Sequence, residues 1–406
     1  MSATGGKSGN FSKIGEIPGV SSAVENAPES GKRAGALTLQ GTPGMFESRH
    51  FFMTLRRTLL LTTFVWVGVV SAGHVFLNMR PSDWFKKEEE RKMRIGFLPV
   101  TCHLTCPVTD FINKEIEGEG LFEPIKFNGW PELKEAFLSG HTRATFILAP
   151  MAIALREQGV PIKIVYLGHR DGTALMVQKD SDIRSIADLR GKTVAVPNRY
   201  SNQRLLIFRA LNNAGMTIDD INLIEMPPPD MPAALYSKSV DAVTSGEPFM
   251  GQCELDGHGR VLYLTKDIWP NFISCVLAVH EDEIRNNPER VQRLVDGIAN
   301  SGMWLEDGMD KRMAAAQFVS QRYYNQHPRL LEFVLSKPPD RVTYNNLALQ
   351  RENFEEIARL GKQSEILEGT VTFDDYVDVR FGEAAEKTKK AYGYEAEKAL
   401  MDLNGQ

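Results

Sequence analysis

Cysteine is scarce, with four residues in a chain of 406. That excludes a disulfide-dense scaffold, although an even number permits two bridges. Charge of one sign is not in excess either. The 47 basic and 52 acidic residues leave a net charge of -5, which argues against a general nucleic-acid binder. No Gly-rich phosphate loop of the P-loop type occurs, no nucleophile elbow, and no acidic pair stands out for general acid–base work. Internal repeats are missing. Nothing in the chain demands an enzyme, and the residues point to no metal and no cofactor.

What is present begins with one apolar run. Residues 1–52 are rich in Gly, Ser, Ala and Pro without a sustained period, and read as disordered or as an over-extended start. Arg56-Arg57 then precedes an uncharged stretch over 58–79 with a small-residue exit at Val70-Ser71-Ala72. The pattern over 53–79 is that of a secretory signal, or of an anchor retained in the membrane, since about 20 apolar residues span a bilayer. Residues 80–92 form a charged linker.

Beyond it, short β-type runs alternate with helical ones: strands over 94–100, 122–127, 145–148 and 162–167, with helices between them. Such alternation implies parallel pairing through right-handed crossovers. A second, smaller unit follows, with strands over 174–178, 193–196, 222–226 and 242–245. Strands over 261–264 and 272–278 read as returning to the first unit, and from residue 280 the pattern is helical. The layout is lobe, inserted lobe, return and helical tail: 93–174 with 268–406 as the first lobe, 175–267 as the second.

Three segments carry a family resemblance. Asp188-Leu-Arg-Gly-Lys-Thr-Val-Ala-Val-Pro197, Ala149-Pro150-Met151 and Gly246-Glu247-Pro248-Phe249 each follow or contain a strand. They resemble segments of the periplasmic solute-binding proteins of ABC importers, most closely the nitrate/bicarbonate/sulfonate (taurine) type. The resemblance spans about residues 94–366. It implies a two-lobed α/β fold of the type II periplasmic-binding-protein kind with a helical C-terminal tail. It also implies capture of a small oxyanion or compact organic anion by lobe closure. Delivery to an ABC permease with its ATPase subunits would follow, in a periplasmic, secreted or inner-membrane-anchored setting.

The candidate contacts sit just after strands, where ligands of such folds lie. Thr101, His103 and Thr105 are donors in the first loop. Cys102 and Cys106 there read as cleft lining, as a disulfide, or as metal or redox chemistry. Trp130 either faces the cleft or caps the core. Pro150 and Met151 open a helix whose first N–H groups are free. Ser201 and Asn202 lie at a strand–loop–helix junction, a natural seat for an anion. Gly168-His169-Arg170-Asp171-Gly172 reads first as a hinge turn. Glu247 is a poor direct partner for an anion, so it favours a cation or a zwitterion if it faces the cleft. Cys253 and Cys275 are either a bridge beside the second hinge or two buried thiols. Trp304 reads as core. Two other readings stay open: a pyrimidine-precursor synthase of thiamine biosynthesis, kept alive by Cys102-His103, and a membrane-anchored ligand sensor.

Overall fold

A computed structural model describes residues 44–78, 92–118 and 120–402. The chain divides into two units, Met1–Pro81 and Ser82–Gln406. The first contains a 35-residue helix, Gly44–Asn78. Its segment Met53–Phe76 has a mean hydropathy of 1.8 and is long and apolar enough to cross a membrane. The hydroxyls of Thr58 and Thr63 donate to the carbonyls of Thr54 and Leu59 at 2.9 and 2.8 Å. Those bonds satisfy the polar groups within the helix itself. Residues 44–52, expected to lack structure, are helical. The rest of the N-terminal stretch, 1–43, and the charged linker up to residue 91 lie outside the described residues.

The second unit carries two mixed sheets. Its strands are β1 (Met93–Phe97), β2 (Phe122–Lys126), β3 (Ala144–Leu148), β4 (Ile162–Asp171), β5 (Thr173–Gln178), β6 (Thr193–Val196), β7 (Asn222–Glu225), β8 (Ala242–Gly246), β9 (Gly259–Leu264), β10 (Ile273–His280) and β11 (Val342–Thr343). The first sheet runs β11-β4-β10-β3-β1-β2 and the second β7-β6-β8-β5-β9. β3 and β10 are buried along their whole length. This is why Ala-Thr-Phe-Ile-Leu and Ile-Ser-Cys-Val-Leu-Ala-Val-His read as near-continuous apolar runs without polar alternation.

Only part of the expected parallel pairing occurs. β1 pairs in parallel with β2 and β3, and β6 with β7 and β8. The strands beside the crossings, β4, β5, β9, β10 and β11, pair antiparallel. The run at 261–264 does not return to the first unit. It becomes β9, an edge of the second sheet against β5. The return is made by β10 alone.

The helical tail is more broken than its periodicity predicts. The helix expected over 374–392 divides into Phe373–Tyr376 and Val379–Thr388. Between them Val377 forms a parallel bridge with Ile164 of β4, and the Asp378 carboxylate accepts from the Arg380 N–H as an N-cap at 3.2 Å. Trp304 is buried, in the cluster that includes Phe97, Leu104 and Leu335.

Two glycines make the junction between sheets. Gly172, with φ 66°, is the single residue between β4 and β5. A Cβ there would lie 2.5 Å from Cε1 of His169, and the left-handed backbone already favours glycine. Gly168 lets β4 pass the turn that follows β1, because a Cβ on it would stand 2.2 Å from the Cys102 carbonyl oxygen. Gly168→Ala is therefore expected to destabilise the protein by about 2 kcal/mol, the usual cost of overpacking a rigid neighbour. Urea unfolding measures it, and a change within ~0.5 kcal/mol would show that the turn yields easily.

Candidate functional site

A cavity of about 160 Å³ opens between the sheets. Given that a water occupies about 30 Å³ in the liquid, this suits a compact solute of a few heavy atoms. One wall comes from the first lobe: Trp130, Pro131 and Lys134 at the start of the helix after β2, and Met151, Ala154, Leu155 and Gln158 on the helix after β3. The other comes from Asn198, Arg199 and Tyr200, after β6, and from Glu225, the last residue of β7. Trp130, Met151, the loop 198–200 and Glu225 lie close to the C-terminal ends of parallel strands, where open α/β sheets leave a crevice, while Ala154, Leu155 and Gln158 extend the wall along the helix after β3.

The charge lining the cavity is mixed: Arg199 and Glu225 on the second wall and Lys134 on the first. Arg199 lies over the Tyr200 ring at 5.0 Å. Arg204 lies nearby, and burial followed by the charge of Arg199 lowers its pKa, against the opposing pull of Glu225. Lys134 is paired with Glu135 at 3.1 Å on the first wall. The Trp130 Nε1 is buried and makes no hydrogen bond within the protein.

Of the residues singled out in the sequence, Trp130 and Met151 line this cavity. Pro150 sits in the first turn of the Met151 helix, Ala149–Glu157, outside the lining. Ser201 is the N-cap of the helix Asn202–Asn213, its Oγ accepting from the Arg204 N–H at 3.1 Å. Asn202 is buried and turned toward β10, donating from Nδ2 to the carbonyls of Ile273 and Ser274 at 2.5 and 3.2 Å. The Tyr200 N–H is likewise already held, by Asn198 Oδ1 at 2.8 Å. The strand–loop–helix junction thus offers the cavity side chains more than free N–H groups. Asn198, Arg199 and Tyr200 belong to the polar loop that the sequence exposes directly after Pro197. The expectation fell on the next two residues, which the helix cap and the hinge consume.

The remaining candidates build the floor and the hinge. Thr101 bonds the Glu247 carbonyl through its N–H at 2.8 Å, and its Oγ1 lies 2.9 Å from His169 Nε2. Burial, above all, pushes the His169 pKa down to about 4. Arg170 spends its guanidinium on the carbonyls of Asn346 and Asn271 and on Asn353 Oδ1, at 2.7, 2.8 and 3.0 Å. It is a hinge clamp, as the flanking glycines suggest. Thr105 is buried beneath this turn. Glu247 does not line the cavity. Its Oε2 accepts from the Gly251 N–H at 2.6 Å and its Oε1 lies 3.3 Å from Arg341. Burial raises its pKa to about 7, opposed by the Arg341 charge.

Neither Cys102 with Cys106 nor Cys253 with Cys275 forms a bridge, and Cys253 and Cys275 are the buried thiols of the alternative reading. All four are free thiols. Cys253 donates weakly to the Phe249 carbonyl at 3.5 Å, and burial pushes its thiol up to about 12. Cys106 is buried near Asp110, and burial followed by that charge raises its thiol well above the usual value. Cys102 and Cys275, 173 residues apart, bring their sulfurs to 2.8 Å. With His103 they form the one cluster of potential metal-ligating atoms among the described residues. Finally, the lobes are linked by Glu356 of the helix Arg351–Gln363, which pairs with Arg209 of the second lobe and accepts from Trp269 Nε1 at 3.0 Å.

Two α/β lobes joined by crossing strands, with a cavity between the strand ends, define a periplasmic-binding-protein-like fold. Within that class, the model of the NMT1-like family matches residues 86–320, and the chain belongs to this family. The nitrate/nitrite binding protein NrtA of Nostoc sp. is 25% identical over 268 residues, 59% of this chain and 59% of that protein. A putative binding protein of Brucella abortus is 36% identical over 115 residues, 28% of this chain and 35% of that one. The chain thus spans less than two thirds of the length of these curated relatives. Among solved structures, the ligand-binding component of an ABC-type import system from Staphylococcus aureus superposes with a TM-score of 0.66 at 24% identity, covering 73% of this chain and 99% of that one. The alkanesulfonate-binding protein SsuA from Xanthomonas axonopodis gives 0.60 at 18%, covering 71% and 99%. These two show the fold.

Two outcomes follow from the local geometry. Ser201→Ala is expected to cost about 1 kcal/mol of stability, the usual loss for an N-cap, with ligand affinity changed little. Paired denaturation and titration measurements separate the two effects. For Glu247, the folded pKa lies above the ordinary 4.5. Its contribution is therefore complete below pH 4.5 and lost as pH rises through about 7. Glu247→Gln should flatten that fall in stability between the two values, and unfolding curves that keep the parent's slope there would contradict it.

Proposed function

We propose that this chain is the solute-binding component of an ABC importer, holding a small anion or a compact anionic organic solute between its lobes. The observation that carries the reading is the cavity whose walls come from both lobes, with Arg199 and Lys134 among its side chains and Trp130 as its aromatic face. A cavity of about 160 Å³ is of a size to admit a compact solute. The guanidinium of Arg199 offers planar, permanently charged donors suited to an oxyanion. Glu225 in the same wall accommodates a solute that also carries an amine, as in a zwitterionic sulfonate. Lobe closure onto the solute is the signal that a membrane partner reads, because a ligand contacting both lobes favours the closed form by its differential affinity. The import-system component, the nitrate/nitrite protein and the alkanesulfonate protein named above support the transport setting and the anionic class. The apolar segment Met53–Phe76 fits export, as a signal or as an anchor.

A thermal-shift screen with nitrate, bicarbonate, taurine, alkanesulfonates and pyrimidines tests the reading. An anion should raise the melting temperature. Arg199→Gln should weaken its binding about tenfold or more, the loss of one charge-assisted hydrogen bond at 1.4 kcal/mol per decade. Trp130→Ala should weaken it as well, without unfolding the protein. A response to a pyrimidine or an amine and to none of the anions would overturn the proposal.

A further inference from the structure

We propose that Cys102 and Cys275 are the two halves of a disulfide that fastens the turn after β1 to β10, the strand by which the chain returns from the second lobe. Their sulfurs stand 2.8 Å apart. An approach of about 0.8 Å brings them to bonding distance, about 2.05 Å. Both residues sit on backbone that is already fixed. The carbonyls of Val100 and Thr101, beside Cys102, accept from the hydroxyls of Tyr324 and Tyr344 at 2.7 and 2.9 Å. Cys275 lies inside the first sheet, paired with Leu148 and His169. The two side chains already face one another from this fixed backbone.

The competing occupant of this cluster is a divalent metal held by Cys102, His103 and Cys275. The imidazole argues against it. The Leu98 N–H donates to His103 Nδ1 at 2.7 Å. The Leu98 carbonyl is 3.1 Å from the same nitrogen, but an amide N–H can only donate, so Nδ1 is the acceptor and the neutral ring carries its proton on Nε2. Nε2 is buried and without a protein partner. A metal needs a lone pair at that atom, and there it finds a proton. The same proton suits a sulfur anion beside it. Burial opposes a thiolate at Cys102, but the hydrogen bond with Cys275 and the His103 ring hold its pKa well below the usual thiol value. Burial and the neighbouring sulfur raise that of Cys275. In the folded chain the two sulfurs therefore differ in thiolate character.

The reaction is thiol–disulfide exchange with a small or protein-borne disulfide, RS–SR, while the chain is folding and the sulfurs are still accessible. The Cys102 thiolate attacks one sulfur of RS–SR and expels RS⁻, giving a mixed disulfide. The Cys275 thiol then loses its proton, attacks the Cys102 sulfur and expels the second RS⁻. Two cysteines lose two electrons and two protons, and the oxidant becomes two RSH. The step needs an oxidising compartment, such as the export reading provides, but its test does not depend on the solute.

The full chain, kept in mild detergent because of its apolar helix, is refolded in a buffer of reduced and oxidised glutathione. It is then denatured in the presence of an alkylating reagent. Two of the four thiols should escape alkylation, and non-reducing peptide mass spectrometry should join Cys102 to Cys275. The double variant Cys106→Ser, Cys253→Ser should show no free thiol after the same treatment. Reduction should lower the melting temperature of both proteins by about 5 °C or more, as expected when a long loop loses its cross-link, and should leave Cys275→Ser unmoved. Four alkylated thiols in the parent would overturn the proposal. So would a bridge to Cys106 or Cys253, or protection that comes with stoichiometric zinc and disappears with a chelator.

Discussion

At residue 172 the backbone leaves one sheet and enters the other with a single residue between strands, and the rest of the molecule is arranged around that passage. The passage requires a left-handed backbone at Asp171 and Gly172, so the two lobes cannot slide along a common strand. Thr101 and Glu247 join across the crossing through the backbone, and Gly172 accepts from the Glu247 N–H at 2.8 Å. Arg170 fixes the far side to segments around residues 271, 346 and 353. The residues that line the cavity hang from elements on either side of this joint.

The placement of charge follows the same division. At the joint, buried ionic groups are each held by several partners: Glu247 by Arg341 and Gly251, Arg170 by three acceptors. The cations at the cavity are less constrained, with Arg199 resting on an aromatic face. A charge that is fully satisfied by the protein has no reason to bind a solute. A charge in a small cavity beside apolar side chains does, since the surroundings strengthen its field.

The sequence makes local order visible and distant pairing invisible. The strand at 193–196 and the polar loop after it are marked by an apolar run, a proline and an Asn-rich stretch, and they lie where the residues indicate. The α/β character of the fold and the helical C-terminal region were legible for the same reason. The antiparallel setting of β9 and β10 was not, because apolar runs of similar length fit either orientation and only the partner strand decides. Glu247 looked like a cleft residue because its position after a strand is local information. Its Arg341 lies 94 residues further on. The proximity of Cys102 and Cys275 required the assembled first sheet, in which β3 stands between β1 and β10, and no spacing rule could supply it. Even within the polar loop, the residues lining the cavity were separated from the cap and the hinge tether by a single step along the chain.

The contact at Glu356 carries a thermodynamic lesson. Arg209, Glu356 and Trp269 join the second lobe to the tail at a partly exposed position, where an ion pair typically contributes under about 1 kcal/mol. A fastening of that strength aligns two bodies without deciding between their open and shut arrangements. On the proposed function the decision is left to whatever fills the space between them, so that an empty receptor would stay responsive and a filled one shut only as long as its cargo stays.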